Sequence, residues 1–243
     1  MPGMPSRNTP PPSTGSLPET ESEGAAHHHA RTRIKICGLT READVAAAVE
    51  AGADAIGFVL YPASPRALDL KRAVSLARGL PAFVTPVLLF VNATLTTIDA
   101  ACKAMPQAVL QFHGDETPAD CDAAMRSYLR AVRMAAGVDL LDFAQRFPNA
   151  AALLLDADVE GYGGGGKRFD WSLIPPDAKT PLVLSGGLSP ANVIDGVLAV
   201  RPYAVDVSSG VEASEKGIKD AALMRRFCEA VREADARLAD CAN

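Results

Sequence analysis

The chain has 243 residues, of which 48% are hydrophobic, and it carries a net charge of −5 at pH 7. This is enough apolar material for one sizeable core, and the acidic balance disfavours a surface for nucleic acid or anionic membrane. No apolar run reaches the ~18 residues of a membrane-spanning helix, and the first residues include no apolar leader. We therefore expect a cytoplasmic protein with neither nucleic-acid nor membrane partners.

Residues 1–30 are rich in proline, serine, threonine and glycine and contain almost no large apolar side chains. Such a segment buries too little surface to offset the entropy lost on ordering, so we predict a disordered tail before a folded domain at 31–243. The histidines at 27–29 are interpreted as part of this solvated tail; the alternative is adventitious metal binding. The five cysteines are odd in number and lack C-x-x-C spacing, so we expect reduced thiols and no metal site.

From residue 31 onward, short apolar runs alternate with amphipathic stretches. The runs predict strands at 34–37, 55–60, 86–91, 108–113, 129–134, 153–156, 182–185 and 204–208. The amphipathic stretches predict helices at 42–51, 69–78, 94–104, 118–128 and 219–238. Ser189 and Pro190 resemble an N-cap and first helical residue after the seventh strand, whereas the sixth unit has only a short helical stretch near Trp171.

Alternating strands and helices indicate a parallel sheet, and eight repeats favour a single closed (β/α)8 TIM barrel over an open sheet. In such barrels the reactive groups lie at the carboxyl ends of the strands and in the loops that follow. The residues at these ends are therefore the candidate functional residues.

The first strand ends in Lys35, Ile36 and Cys37, and period-two alternation places Lys35 and Cys37 together on the interior face. A thiol beside an ammonium has a lowered pKa and can act as a base, so we expect the Cys37 pKa to lie below that of a free thiol. The alternative is that Cys37 is a small buried apolar residue. A lone buried ammonium at Lys35 is harder to explain structurally, because its burial is costly.

Asp156 closes the sixth apolar run, where a carboxyl group suits a general acid; the alternative is a capping or loop aspartate. The fourth strand ends in Gln111 and His113 on one face, and His113 has either a structural or a direct chemical role. Arg66 follows the second strand in a proline-punctuated loop and suits a planar carboxylate, unless it is a solvated surface residue.

Small residues follow the seventh and eighth strands, and they include Gly186, Gly187, Ser208 and Ser209. Backbone N–H groups can approach an anion closely there, so these two loops predict a phosphate site. The segment 161–167 resembles the start of a P-loop, but Arg168 stands where the magnesium-binding serine or threonine belongs. Four consecutive glycines more readily form a mobile loop beside the active site.

In the combination and order of these segments, the sequence resembles the phosphoribosylanthranilate isomerase family. The matching segments run in family order and are KICGLT at 35–40, GADAIGFVLYPASPR at 52–66, FVN at 90–92, QFHGDE at 111–116, LLLDA at 153–157, YGGGGKRFDWSLI at 162–174, LVLSGGLSPANV at 182–193 and RPYAVDVSSGVE at 201–212. One departure is Gly165, where the family usually has serine or threonine.

The resemblance implies an Amadori rearrangement of phosphoribosylanthranilate, a small phosphosugar, in tryptophan biosynthesis. It implies that Cys37 is the general base and Asp156 the general acid, and that no metal or redox cofactor is needed. Arg66 would engage the anthranilate carboxylate, and the loops at 186–187 and 208–209 would bind phosphate. We also expect a monomer.

Two other classes of protein fit the sequence less well. Other phosphosugar barrels fit less well, because the related histidine-pathway isomerase has an aspartate where this chain has Cys37. Indole-glycerol-phosphate synthase relies on lysine and glutamate groups and on a helical extension that the proline-rich tail cannot supply. A binding module that had lost its chemistry would be expected to lack Cys37 or Asp156, and both are present.

Overall fold

The computed structural model describes residues 31–157 and 168–241. The predicted tail at 1–30 and the glycine-rich segment at 161–167, with Gly165, lie outside the described residues. Within the described ranges, eight parallel strands close into a barrel in chain order, and β1 pairs with both β2 and β8. The predicted (β/α)8 barrel is confirmed.

Every predicted strand is found with its ends shifted by at most one residue. The strands are β1 Arg33–Cys37, β2 Ala55–Val59, β3 Thr85–Phe90, β4 Val109–Phe112, β5 Tyr128–Met134, β6 Ala152–Ala157, β7 Leu182–Leu184 and β8 Ala204–Val207. The helices are α1 Glu42–Glu50, α2 Leu70–Ala77, α3 Leu95–Ala104, α4 Pro118–Asp122, α5 Leu140–Arg146, α6 Val193–Val200 and α7 Ala221–Asp240. Short 3₁₀ turns lie at Trp171–Leu173, as predicted near Trp171, and at Ser209–Val211.

The predicted helix over 118–128 is wrong beyond Asp122. Thr117 caps α4 with a reciprocal capping box, but the chain leaves the helix after five residues and Met125 adopts a left-handed φ of 49°. Tyr128 already belongs to β5, where its buried ring packs edge-on against Phe112. The apolar pattern over 118–128 therefore combines a helical turn, a reversal and the start of a strand.

The predicted N-cap at Ser189 is also wrong, because α6 begins at Val193 and residues 190–192 form a turn. The Asn192 side chain organises this turn: its Oδ1 accepts from the Ser189 N–H at 2.9 Å, and its Nδ2 donates to the Gly187 carbonyl at 2.9 Å. These two bonds shape the loop after β7 instead of capping the helix. Helix α5, which the sequence patterns did not predict, begins after an N-cap at Asp139.

The apolar core forms two layers, one between the strands and the helices and one inside the closed barrel. Outward-facing strand residues such as Ile34, Leu88 and Leu110 pack against the helices with no exposed surface. Inside the barrel, Leu154 and Val183 belong to a smaller cluster of buried apolar residues. Across 31–157 and 168–241, the helices include none whose length and hydropathy would let it cross a membrane. The apolar layer inside the barrel supports the polar groups at its carboxyl end.

Candidate active site

Buried polar side chains gather at the carboxyl ends of the strands. The set comprises Lys35, Arg66, Gln111, His113, Asp156, Ser185, Asp206 and Lys219, and each is less than 9% exposed. Burial of this many ionisable groups is costly unless each has a partner. The partner of each ionisable side chain therefore indicates which chemistry the site can perform.

Cys37 is the last residue of β1 and is 5% exposed. Its register partner in β2 is Gly57, and a Cβ built at Gly57 would lie 2.6 Å from the Cys37 Sγ. The thiol therefore occupies space that any other residue at position 57 would fill. Sequence reasoning missed Gly57, although a glycine inside a strand is itself a signal of close approach.

Lys35 points into the barrel, as predicted, and its Nζ lies 2.7 Å from Asp206 Oδ1. Asp206 also faces the Ser185 hydroxyl at 3.4 Å. The Asp206 carboxylate raises the pKa of Lys35, although burial acts in the opposite direction. Lys35 thus remains charged beneath Cys37, but Asp206 largely balances that charge.

The expectation that the Cys37 pKa lies below that of a free thiol is wrong. Burial raises the pKa of the Cys37 thiol, and the nearby Lys35 ammonium only partly opposes it. The negative charge of Asp206 acts in the same direction as burial. Because burial and the Asp206 carboxylate together outweigh Lys35, the resting thiol is protonated at neutral pH.

Asp156 is 8% exposed and is paired with His113, whose Nε2 lies 3.1 Å from Asp156 Oδ2. The other ring nitrogen of His113, Nδ1, lies 2.9 Å from the Gln111 side-chain amide nitrogen. Because an amide nitrogen only donates, Nδ1 accepts and Nε2 carries the proton that faces Asp156. The second carboxylate oxygen, Oδ1, accepts from the Ala157 N–H at 2.9 Å. His113 therefore orients the Asp156 carboxylate.

A second buried arginine supports the carboxyl end of β4. Arg130 in β5 donates to the carbonyls of Phe112 and Gly114 at 3.0 and 3.1 Å, and lies 3.4 Å from the Glu116 carboxylate. These contacts fix the turn that follows His113. Burial lowers the pKa of Arg130, and the neighbouring Glu116 opposes this effect.

The two predicted phosphate loops lie side by side. Gly186 and Gly187 adopt left-handed φ angles of 74° and 66°, and a Cβ at Gly186 would lie 2.5 Å from the Ala157 nitrogen. A Cβ at Gly210 would clash with the Leu188 carbonyl, so the loops after β7 and β8 touch. Glycine is required where these backbones approach each other and Asp156.

Ser208 and Ser209 lie on the β8 side of these loops. The Ser208 hydroxyl donates to the Cys37 carbonyl at 3.0 Å, and Ser209 begins the following 3₁₀ turn. The segment that follows β8 is thereby tied directly to the strand that carries the thiol.

Arg66 is 6% exposed, so the alternative of a solvated surface arginine is wrong. Its Nε and Nη2 donate to the two carboxylate oxygens of Glu212 at 2.6 and 2.7 Å. Lys219 Nζ lies 3.0 Å from the same carboxylate. Burial opposes ionisation of Glu212, but the bonds from Arg66 and Lys219 lower its pKa to about 2. Sequence reasoning missed both partners, because Glu212 is 146 residues from Arg66 and no local pattern connects them.

The barrel end thus holds a thiol, an oriented carboxyl group, a buried arginine and two loops suited to an anion. A thiol and a carboxyl group on separate strands can move protons at two places on one ligand. The described residues contain no group of three or more histidine, cysteine or acidic side chains arranged to hold a metal ion. All five cysteines are free.

Comparisons with known proteins agree on one family. A family model described as N-(5'phosphoribosyl)anthranilate (PRA) isomerase matches residues 34–230. The chain is 72% identical, over 86% of its length and 98% of the relative's, to N-(5'-phosphoribosyl)anthranilate isomerase of Methylibium petroleiphilum. The corresponding enzyme of Leptothrix cholodnii is 69% identical over 87% of this chain and 96% of its own length.

Solved structures give the same result. The crystal structure of phosphoribosyl anthranilate isomerase from Thermotoga maritima superposes with a TM-score of 0.77 and 39% identity, over 83% of this chain and 99% of that one. Another structure of such an isomerase, in complex with reduced 1-(o-carboxyphenylamino)-1-deoxyribulose 5-phosphate, has a TM-score of 0.73 and 37% identity over the same shares.

Proposed function

The chain belongs to the N-(5'-phosphoribosyl)anthranilate isomerase family, and we propose that it performs the family's reaction with Cys37 as general base and Asp156 as general acid. The enzyme converts N-(5-phosphoribosyl)anthranilate into 1-(2-carboxyphenylamino)-1-deoxyribulose 5-phosphate, a step of tryptophan biosynthesis. The ligand is a small phosphosugar that carries a phosphate at one end and an aryl carboxylate at the other.

The two ends of the substrate match two parts of the barrel end. The backbone N–H groups around Gly186, Gly187, Ser208 and Ser209 would bind the phosphate, because the glycines let an anion approach the main chain closely. Arg66 would engage the carboxylate of the anthranilate ring. Bound in this way, the ribose would lie between the two groups that transfer protons.

The reaction then needs two proton transfers. Asp156, in its protonated form, donates to the furanose ring oxygen, the ring C–O bond breaks, and a Schiff base forms at C1. Cys37, as thiolate, removes the proton from C2, and the electron pair of that C–H bond moves toward the Schiff base to give an enol. The enol then tautomerises to the ketone, so the product is an isomer of the substrate.

His113 and Lys35 serve these two groups. His113 holds the Asp156 carboxyl group in one orientation through its 3.1 Å contact. The Lys35 ammonium stabilises the thiolate once it forms, although Asp206 weakens this effect. The observation that carries the proposal is that a thiol and an oriented carboxyl group, each on an interior-facing strand end, are buried at the same barrel end beside a buried arginine and two loops with closely packed glycines.

The direct test is to incubate purified protein with phosphoribosylanthranilate and follow the loss of substrate fluorescence. The proposal predicts turnover, and the appearance of the open-chain ketose phosphate by chromatography identifies the product. The competing view, a phosphosugar-binding module without chemistry, predicts that the substrate binds but its fluorescence decays only at the uncatalysed rate. A protein that neither binds nor converts the substrate would contradict both.

We further propose that the enzyme acts in the cytoplasm and as a monomer. A biosynthetic step on a phosphorylated intermediate belongs where that intermediate is made, and cell fractionation tests the location. Analytical ultracentrifugation across a range of concentrations tests the oligomeric state, and a mass that doubles with concentration would contradict the monomer.

A further inference from the structure

Arg66 is held by a two-point ion pair and by close packing against the backbone. Two of its three guanidinium nitrogens, Nε and Nη2, are bonded to Glu212, whereas Nη1 has no hydrogen-bond partner among the described residues. The Arg66 side chain also covers Gly38 so closely that no Cβ fits at that position. Because Gly38 directly follows Cys37, the arginine is fixed next to the strand end that carries the thiol.

The side chains around Arg66 carry a net positive charge, which one more anion would balance. Arg66 and Lys219 contribute two positive charges, and Glu212 contributes one negative charge at 2.6 and 3.0 Å from them. The side chains of these three residues are at most 8% exposed, so solvent does little to screen the remaining positive charge. A monoanionic carboxylate is the ligand that would balance it.

Lys219 extends the cluster to the phosphate side. Its Nζ donates to the Ser208 carbonyl at 3.0 Å and contacts the Ser208 hydroxyl at 3.3 Å. That hydroxyl is in turn bonded to the Cys37 carbonyl. A continuous set of contacts therefore runs from the predicted phosphate loop to the predicted carboxylate contact.

We propose that Glu212 is a positioning residue that sets specificity for the aryl carboxylate: it fixes the Arg66 guanidinium and leaves Nη1 for the substrate, while Lys219 balances the Glu212 charge. This inference rests on the proposed function, because it deepens the role given there to Arg66. Without Lys219, the carboxylate of Glu212 would cancel the charge of Arg66 that the substrate needs.

Glu212→Gln separates positioning from charge. The new amide retains the shape of the side chain, but an NH2 group placed at either oxygen position would face a donor of Arg66, and the ionic attraction is lost. Arg66 would then leave its fixed orientation. Since hydrogen bonds to charged groups are among the stronger ones in proteins, we expect KM for phosphoribosylanthranilate to rise about tenfold or more. We expect kcat to stay within about threefold, because neither Cys37 nor Asp156 is touched.

The matched control is Glu233→Gln, which makes the same chemical change in an exposed glutamate–arginine pair on α7, with Arg237. It should alter neither KM nor kcat. Inorganic phosphate serves as a probe of the phosphate loops alone, and its inhibition constant should be unchanged in Glu212→Gln. If phosphate inhibition weakens in parallel with KM, Glu212 merely supports the loop structure and the proposal is overturned.

A double-mutant cycle with Arg66→Ala gives the decisive readout. If Glu212 acts through Arg66, Glu212→Gln should add little to KM once Arg66 has been replaced, so the two effects are strongly non-additive. Fully additive effects would refute the proposal. If Arg66→Ala raises KM but Glu212→Gln does not, only this inference fails. If Arg66→Ala leaves KM unchanged, the assigned carboxylate contact in the proposed function fails as well.

Discussion

Replacing Gly57 by alanine is a test of how closely the barrel fits the Cys37 thiol. The added Cβ would lie 2.6 Å from Sγ and 3.0 Å from the Cys37 Cα, whereas non-bonded carbon atoms are optimally separated by ~3.5–4.0 Å. The thiol or the strand must therefore move by about 1 Å. A displacement of that size in a reacting group can reduce the rate by ~10²-fold.

We accordingly expect Gly57→Ala to lower kcat by about two orders of magnitude while KM changes little, because the proposed phosphate loops follow β7 and β8 and the proposed carboxylate contact, Arg66, lies in the loop beyond the end of β2. Overpacking should also destabilise the fold by ~1–3 kcal/mol, measured by denaturant unfolding. Gly79→Ala is the matched control, since a Cβ there would meet nothing closer than 3.8 Å. A folded Gly57→Ala variant with kcat within twofold of the parent would refute the reasoning.

Because burial keeps the Cys37 thiol protonated at neutral pH, kcat/KM should rise with pH as the thiolate forms, and a flat profile between about pH 6 and 8 would contradict this. Arg130→Met would remove the cationic partner of the buried Glu116 carboxylate, which would keep only its bonds from the Asn92 and Gly114 N–H groups, so the free energy of unfolding should fall by ~3–5 kcal/mol; an unchanged denaturation midpoint would contradict this. Gly187→Val forces a β-branched residue into a left-handed φ of 66°, so KM and the inhibition constant of phosphate should both rise while kcat is retained, and tight phosphate binding in this variant would exclude the loop as the phosphate site.

The sequence predicted the architecture well because the apolar pattern of each strand reflects burial on both faces, which is a local property. It also placed Lys35 and Cys37 on one interior face by simple alternation, and the structure confirms this. The prediction of secondary structure failed where one apolar pattern spans two short elements, as it does from Pro118 to Tyr128.

Long-range pairings were beyond the sequence. The expected lowering of the Cys37 pKa considered Lys35, two residues away, but the opposing carboxylate comes from Asp206 on β8, 171 residues from Lys35. Glu212, the partner of Arg66, is similarly distant. A sequence shows which residues are ionisable. The effect of one such residue on the pKa of another depends on further charged neighbours, which only the fold brings together.

The most direct test of the central assignment is the kcat of Cys37→Ala with phosphoribosylanthranilate, beside that of Cys102→Ala, which replaces a half-buried cysteine on the outer helix α3. Removing a general base typically lowers the rate by ~10²–10⁴-fold. We therefore predict that kcat falls at least ~10²-fold in Cys37→Ala, with the fold and phosphate inhibition retained, and that Cys102→Ala is normal. A folded Cys37→Ala enzyme with near-normal kcat would contradict the assignment of Cys37 as the base.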